Sequence, residues 1–438
     1  MDMIQCLIDR DMYFIVREIF AYLNEDSLRV CESVSQQWNL AVSDCKMWTK
    51  LYQKEQQQFL IRGLKARMQA IGWQNSTPKA DESWFKKLFD AKLHVEKNWQ
   101  IGNYRIDEAT IRNCRVITVT FDTKRIVFGV IPVNYFGFSK IIVCNRWTLD
   151  VECVLNCPIQ QWITKVHIDG DIIYCSHLEG NIYIWDLQTK EIITIMKKDE
   201  LLQWTKSYLA HGFFVACYFT GTQSNLVVSI RRISKPISDM KVEKILRISG
   251  SVLRNVDIDK DYLVLSLCRL SFTVYAIQIR STQHDFSIIH ELDFSYDPFF
   301  NYSYGNGYLV ASLFEEGREN IKLWDIETLK LKATWIENRR FGDRRTNFVS
   351  LSHSRLIIET THNADFVVYD LNSLPITDRN PFFSKQTKPK VLFRIESKLH
   401  SHTLVDDLQL IIISQTPIFT STPFTYILTA YNFCTFEK

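Results

Sequence analysis

One octapeptide pattern recurs along the chain. Gly180-Asn181-Ile182-Tyr183-Ile184-Trp185-Asp186-Leu187 reappears as Glu319-Asn320-Ile321-Lys322-Leu323-Trp324-Asp325-Ile326 and again as Ala364-Asp365-Phe366-Val367-Val368-Tyr369-Asp370-Leu371. Weaker copies centre on Cys144-Asn145, Ile230-Arg231, Tyr275-Ala276 and Tyr431-Asn432. The seven centres fall at 144, 185, 230, 275, 324, 369 and 431, so successive gaps are 41, 45, 45, 49, 45 and 62 residues. A period of this length marks a supersecondary unit that cannot bury its apolar face alone and must stack on its neighbours.

Each copy is a β-branched and aromatic run, preceded by another apolar strand and a polar turn, which is how the third strand of a four-stranded propeller blade reads. Seven copies predict seven blades. The long last gap holds Asp378–Pro389, a basic, Pro-containing loop insertion. Only six residues follow Tyr431-Asn432, too few for a turn and a fourth strand, and a three-stranded blade would leave an open edge. Residues 103–109, around Tyr104-Arg105-Ile106, lie just before the first copy and are expected to close the last blade.

The first 100 residues have another texture. They are rich in Gln, Lys, Glu and Leu, and their apolar positions follow the helical period: Ile15, Ile19 and Leu23 share one face. Asn24 or Asp26 is suited to cap the next helix, which carries Leu28 and Val34. Trp38 and Val42 follow on a third, then Met47, Trp48 and Leu51. Phe59 to Ile71 reads as a further amphipathic helix ended by Gly72, and Ser83 to Trp99 as another. The chain is thus expected to be α + β and multidomain: an all-helical N-terminal part, divided at about 10–52 and 53–100, and an all-β seven-bladed propeller over 101–438.

Composition narrows the function. Of 438 residues, 52 are Lys or Arg and 49 Asp or Glu, a net charge of +3 that speaks against a basic nucleic-acid coat. No run of about 18 apolar residues suggests a membrane span. The 11 cysteines follow no signal-peptide pattern and read as reduced thiols of a cytoplasmic or nuclear protein. Cys153 and Cys157 are the closest pair, but no second pair follows at zinc-site spacing, and His400 and His402 lack further ligands, so neither pair is read as a metal site. No Gly-x-Ser-x-Gly, phosphate-cradling Gly loop or His-Glu-x-x-His is present, and neither catalytic residues nor a cofactor are expected.

The repeats resemble the WD-repeat family, although its Gly-His dipeptide is missing from nearly all copies; apolar packing is expected to replace the network that His makes. Residues 15–51 resemble an F-box: Ile19-Phe20-Ala21-Tyr22-Leu23, then Val34-Ser35-Gln36-Gln37-Trp38, then Met47-Trp48, with Asp11-Met12 in place of the usual Leu-Pro and Ser35 in place of Cys. Ile61-Arg62-Gly63-Leu64, Gly72-Trp73, Ser83-Trp84-Phe85 and Asn98-Trp99-Gln100-Ile101-Gly102 resemble the linker of beta-transducin repeat-containing proteins, the F-box/WD-repeat substrate receptors of SCF ubiquitin ligases.

That resemblance implies a non-catalytic receptor that docks on a Skp-type adaptor, and through it on a cullin–RING ligase, while the propeller holds a client protein. It implies that Met12, Ile15, Ile19, Leu23, Leu28, Val34, Trp38 and Trp48 meet the adaptor. The alternative is an interaction scaffold that retains an F-box and degrades no client. On a predicted ligand-face connection, Arg339, Arg340, Arg344 and Arg345 are suited to an acidic or phosphorylated client, with Lys197-Lys198 on a comparable connection. The first-blade turn around Gly129 to Asn134 lacks the Arg that degron-reading relatives carry there, so the same phosphodegron is not implied.

Overall fold

The computed structural model describes residues 3–56, 59–70, 82–132, 137–158, 162–178, 181–196, 203–210, 213–220, 225–232, 242–259, 261–269, 274–295, 301–305, 307–315, 318–337, 347–351, 355–359, 365–374, 388–395, 402–415 and 425–435. The chain divides into two compact units: Met1–Arg105 with Asp407–Gln409 and Tyr431–Lys438, and Ile106–Asp406 with Leu410–Ala430.

The first unit is helical. Its described helices are α1 (Met3–Asp9), α2 (Tyr13–Ala21), α3 (Glu25–Val34), α4 (Gln36–Asp44), α5 (Met47–Glu55), α6 (Phe59–Ala70) and α7 (Glu82–Ile101). Local chemistry sets the boundaries. Asn24 caps α3, its Oδ1 accepting from the Ser27 N–H at 2.9 Å. Ser35 caps α4, accepting from the Trp38 N–H at 3.2 Å. Lys46 enters α5 in the left-handed region and offers no side-chain cap. The carboxylate of Glu82 does so instead, accepting from the N–H of Trp48 and of Thr49 and from the Thr49 hydroxyl. That places a negative charge at the positive end of α5. The expected helix ending at Gly72 closes outside the described residues.

Within this unit Trp99, fully buried near the end of α7, stacks on Phe433 at 3.5 Å and 12° and donates its indole N–H to the Asp407 carbonyl at 2.6 Å. Asn98 donates to the Phe433 carbonyl at 2.8 Å. No described helix is long and apolar enough to cross a membrane.

The remaining described strands form seven four-stranded sheets. Their first and last strands are Cys114–Phe121 and Val151–Asn156, Ile163–Asp169 and Glu191–Met196, Gln203–Ala210 and Val242–Ser249, Ser251–Ile258 and Ile288–Ser295, Asn301–Gly305 and Leu331–Glu337, and Asn347–Leu351 and Lys390–Ile395. The seventh sheet is ordered Arg105–Arg112, Thr425–Asn432, Gln409–Gln415, His402–Val405. Its outermost strand therefore comes from the residues directly after α7, so both ends of the propeller sequence meet in one blade. First strands of the first to fourth blades touch in turn, as do those of the fifth to seventh, and the seventh blade's His402–Val405 touches the first strand of the first blade.

All seven repeat centres lie in the third strand of a blade. The Asp or Asn of the pattern is a turn residue: Asp186 Oδ1 accepts from the Gln188 N–H at 2.7 Å, Asp325 from Thr328 at 2.9 Å, Asp370 from Asn372 at 2.9 Å and Asn145 from Trp147 at 2.9 Å. A bulge shifts the register of the third and fourth strands at the repeat centre in blades one to three, five and six, and in blade four beyond its centre, at Ile279/Arg280. Bulges of this kind add twist to the sheet.

The core lies between blades. Val116, Phe128 and Val130 of the first pack on Ile411, Ile413 and Leu428 of the seventh. Val127 and Ile141 pack on Ile173 and Trp185 of the second. As the missing Gly-His leads one to expect, Trp185 is held by apolar contacts, and its indole N–H has no partner among the described residues. One buried ion pair interrupts the pattern. Arg146 of the first blade, fully buried, meets Asp406 beside the seventh at 2.6 Å, with its guanidinium 4.7 Å from the Phe121 ring and 4.8 Å from the Trp147 ring.

Candidate protein-docking surface

The helices α2 to α5 expose apolar side chains over a core that is fixed from behind. Val16, Phe20, Leu28, Ala41, Val42 and Met47 fill that core. Phe20 and Trp38 rings lie 5.9 Å apart and hold α2 against α4. The support behind is α7. Trp48 is buried with its ring 5.6 Å from Phe89 and its indole N–H donating to Glu32 at 2.9 Å. Charges tie α3 to the same helix: Lys86 to Glu32 at 2.7 Å, Lys92 to Glu25 at 3.0 Å, and Arg29 to Asp90. Arg29 also pairs with Glu25 at 3.0 Å and rides 5.2 Å above the Trp48 ring. Glu55, Lys92, Glu25, Arg29 and Asp90 thus form one network in which every charge has an opposite neighbour. Those carboxylates hold the Lys92 ammonium and the Arg29 guanidinium above their ordinary pKa values against the cost of burial.

In front, the surface is apolar where a solitary helix bundle would be polar. Among the described residues, seven of the 21 exposed large apolar side chains fall within the first 40 residues: Met3, Tyr13, Phe14, Tyr22, Val30, Val34 and Leu40. Exposed apolar side chains at such density are a candidate for a docking surface. Val30 and Val34 are 62% and 51% exposed and lie one helical turn apart on α3.

The structure sorts the eight residues assigned to the adaptor by resemblance. Val34 is exposed, and Met12, Ile15, Ile19, Leu23 and Trp38 are half-buried, with surface left to meet a partner. Leu28 and Trp48 are each 1% exposed and belong to the core beneath. The correction has a plain cause: Leu28 sits on the α3 face opposite Val30 and Val34, and Trp48 is enclosed by Arg29, Glu32 and Phe89. Phe14, Tyr22, Val30 and Leu40 are further exposed apolar residues of this segment that the sequence reading did not single out. Their signal was available, since each is an apolar residue off the face its own helix buries.

The proposed client residues Arg339, Arg340, Arg344 and Arg345, and also Lys197 and Lys198, lie outside the described residues. The Cys153–Cys157 pair does not act as a pair. Cys157 instead meets Cys175 and His177, and the ligand atoms of these three buried residues lie within 4.8 Å of one another.

The F-box-like family profile matches residues 15–54, which span α2 to α5. No curated protein matches the sequence. Among solved structures, the chain is similar to the propeller domain of Cps50 (Swd1) from Myceliophteria thermophila, at 11% identity over 74% of this chain and 99% of that one, TM-score 0.47. It is similar to Hsv2 of Kluyveromyces lactis at 13% identity, over 71% and 96%, TM-score 0.45. It is similar also to the computationally designed Ika8 protein at 11% identity, over 73% and 96%, TM-score 0.45. The chain thus carries an F-box-like segment at residues 15–54, followed by seven four-stranded blades, each with a repeat centre in its third strand.

Proposed function

We propose that this protein is the client-receptor subunit of a Skp–cullin–F-box ubiquitin ligase. The observation that carries the reading is the exposed apolar surface of α2 to α4 within an F-box-like match, on a scaffold tied to α7 by caps and ion pairs. A Skp-type adaptor supplies the apolar partner, and a cullin–RING assembly follows through it. The propeller holds the client, and ubiquitin transfer is promoted by proximity, with no covalent chemistry on this chain. The reading places it in the cytoplasm or nucleus. Arg339, Arg340, Arg344 and Arg345 fit an acidic or phosphorylated client segment, which guanidinium pairs grip bidentately.

The test is a pair of pull-downs on the full-length protein. Val30→Glu with Val34→Glu changes only exposed side chains, so the fold is kept while two apolar anchors become charges. Each lost anchor costs roughly 2 kcal/mol, about thirtyfold in affinity. Adaptor capture should fall below detection while client capture persists. Arg340→Glu with Arg344→Glu should do the reverse, and added salt should weaken client capture. Unchanged adaptor capture by a folded Val30→Glu/Val34→Glu protein contradicts the docking surface.

A further inference from the structure

Two blades that meet through aliphatic side chains also bring together three soft donors. Cys157 directly follows the last strand of the first blade, Val151–Asn156, and is fixed there by its N–H donating to the Ser139 carbonyl at 3.0 Å. Cys175 and His177 come from the second strand of the second blade, Ile172–His177. Being two residues apart on a strand, they point to the same face. All three are buried, His177 to 2% exposure. The Cys175 Sγ lies 3.4 Å from His177 Nε2. The His177 ring is held edge-on to Tyr183 at 5.0 Å and 76°.

These distances suit a metal. With Zn–S near 2.3 Å and Zn–N near 2.0–2.1 Å, tetrahedral ligation puts sulfur and nitrogen about 3.6 Å apart and two sulfurs about 3.8 Å apart. The observed 3.4 Å and the 4.8 Å limit on the whole trio leave little to adjust. The surroundings favour a neutral assembly: Leu155, Ile163, Val166 and Ile173 pack in the same core. Two thiolates and one neutral imidazole around a divalent ion sum to zero charge, which removes the penalty of leaving an uncompensated ion in such a wall.

We propose that Cys157, Cys175 and His177 bind a zinc ion that cross-links the first and second blades, with one ligand position left to a small exogenous donor. The ion acts as a staple, since donors from separate blades must both stay in place to hold it.

The test uses the full-length protein purified without chelator. Elemental analysis should find one zinc per chain, and Cys157→Ser with Cys175→Ser should lower that at least tenfold. Cys217→Ser with Cys268→Ser, buried thiols of the third and fourth blades, should keep it. Should the first double variant fail to fold, wild type decides alone: the zinc-stripped protein, titrated with cobalt(II), should develop a thiolate-to-cobalt charge-transfer band that saturates at one equivalent. Returning zinc should raise its melting temperature. Wild-type protein that carries no stoichiometric zinc and gives no thiolate–cobalt band overturns the assignment, as does full zinc retention in a folded Cys157→Ser/Cys175→Ser variant.

Discussion

In the helical unit the joint between α3 and α7 is made by charges, whereas in the propeller neighbouring blades are joined by aliphatic side chains. Lys86, Lys92 and Arg29 reach across to Glu32, Glu25 and Asp90 through side chains that keep part of their surface in solvent. Val116, Phe128 and Ile411 meet with almost no exposure. The difference follows from size. Short helices that keep an apolar surface for a partner cannot also bury it, so they are held from behind by caps, a buried Trp and ion pairs. A ring of blades has neighbours on both sides, and the described apolar residues between blades are buried there. The propeller also uses charge between blades, near the surface at Arg125–Asp171 and Lys244–Asp285 and in the interior at Arg146–Asp406, where electrostatics are costly to disturb.

That contrast can be broken at its strongest point first. Arg146→Ala removes the guanidinium from a mostly enclosed Asp406 and should destabilise the propeller by about 3–5 kcal/mol, seen as a lower denaturant midpoint. Arg146→Met with Asp406→Leu should recover most of the loss. A mild effect of Arg146→Ala alone would mean that the ring closes through its apolar contacts only.

Trp48→Ala should cost about 3–5 kcal/mol by emptying the space between α5 and α7, with loss of helical circular dichroism. Adaptor binding should fall with it, but through unfolding. Val34→Glu should cut binding with the helical signal intact. If the two variants behave alike, scaffold and surface are not separate in the helices.

Gly305→Ala sharpens the propeller side. A methyl there would stand 2.5 Å from the Leu351 carbonyl oxygen of the next blade, against backbone that cannot swing away. Overpacking of this kind costs about 1–3 kcal/mol, checked by thermal unfolding. At the small end, Lys86→Ala removes a half-exposed pair with Glu32 and should cost about 0.2–1 kcal/mol, and less in high salt. A larger, salt-independent loss would show that α3 is held to α7 more like a blade than like a surface pair.

Much of the fold was legible because it is periodic. The blade repeat survives in Trp185-Asp186, Trp324-Asp325 and Tyr369-Asp370, since the turn after the third strand needs an acceptor at that Asp. Ile230 and Tyr275 keep only the strand pattern, and spacing alone revealed them. In the helices, Asn24 announced its capping role, whereas Glu82 did not: a cap supplied from 33 or 34 residues away leaves no local pattern. The docking surface was half legible. Apolar periodicity names the residues of a helix that are sequestered, but not whether a core or a partner sequesters them, which is why Leu28 and Trp48 were placed with Val34. The Cys157, Cys175 and His177 trio carried no motif, because its members come from two blades and only the fold brings them together.

The central claim is that the apolar surface of α2 to α4 is a docking site for a Skp-type adaptor. The most direct measurement is the dissociation constant of the purified full-length protein for such an adaptor, by calorimetry, compared with Val30→Glu/Val34→Glu. The account predicts one-to-one binding by the wild type, with a negative heat-capacity change from apolar burial. For the variant it predicts affinity at least thirtyfold weaker at an unchanged melting temperature. Equal affinity in the two proteins, or no adaptor binding by the wild type, would contradict it.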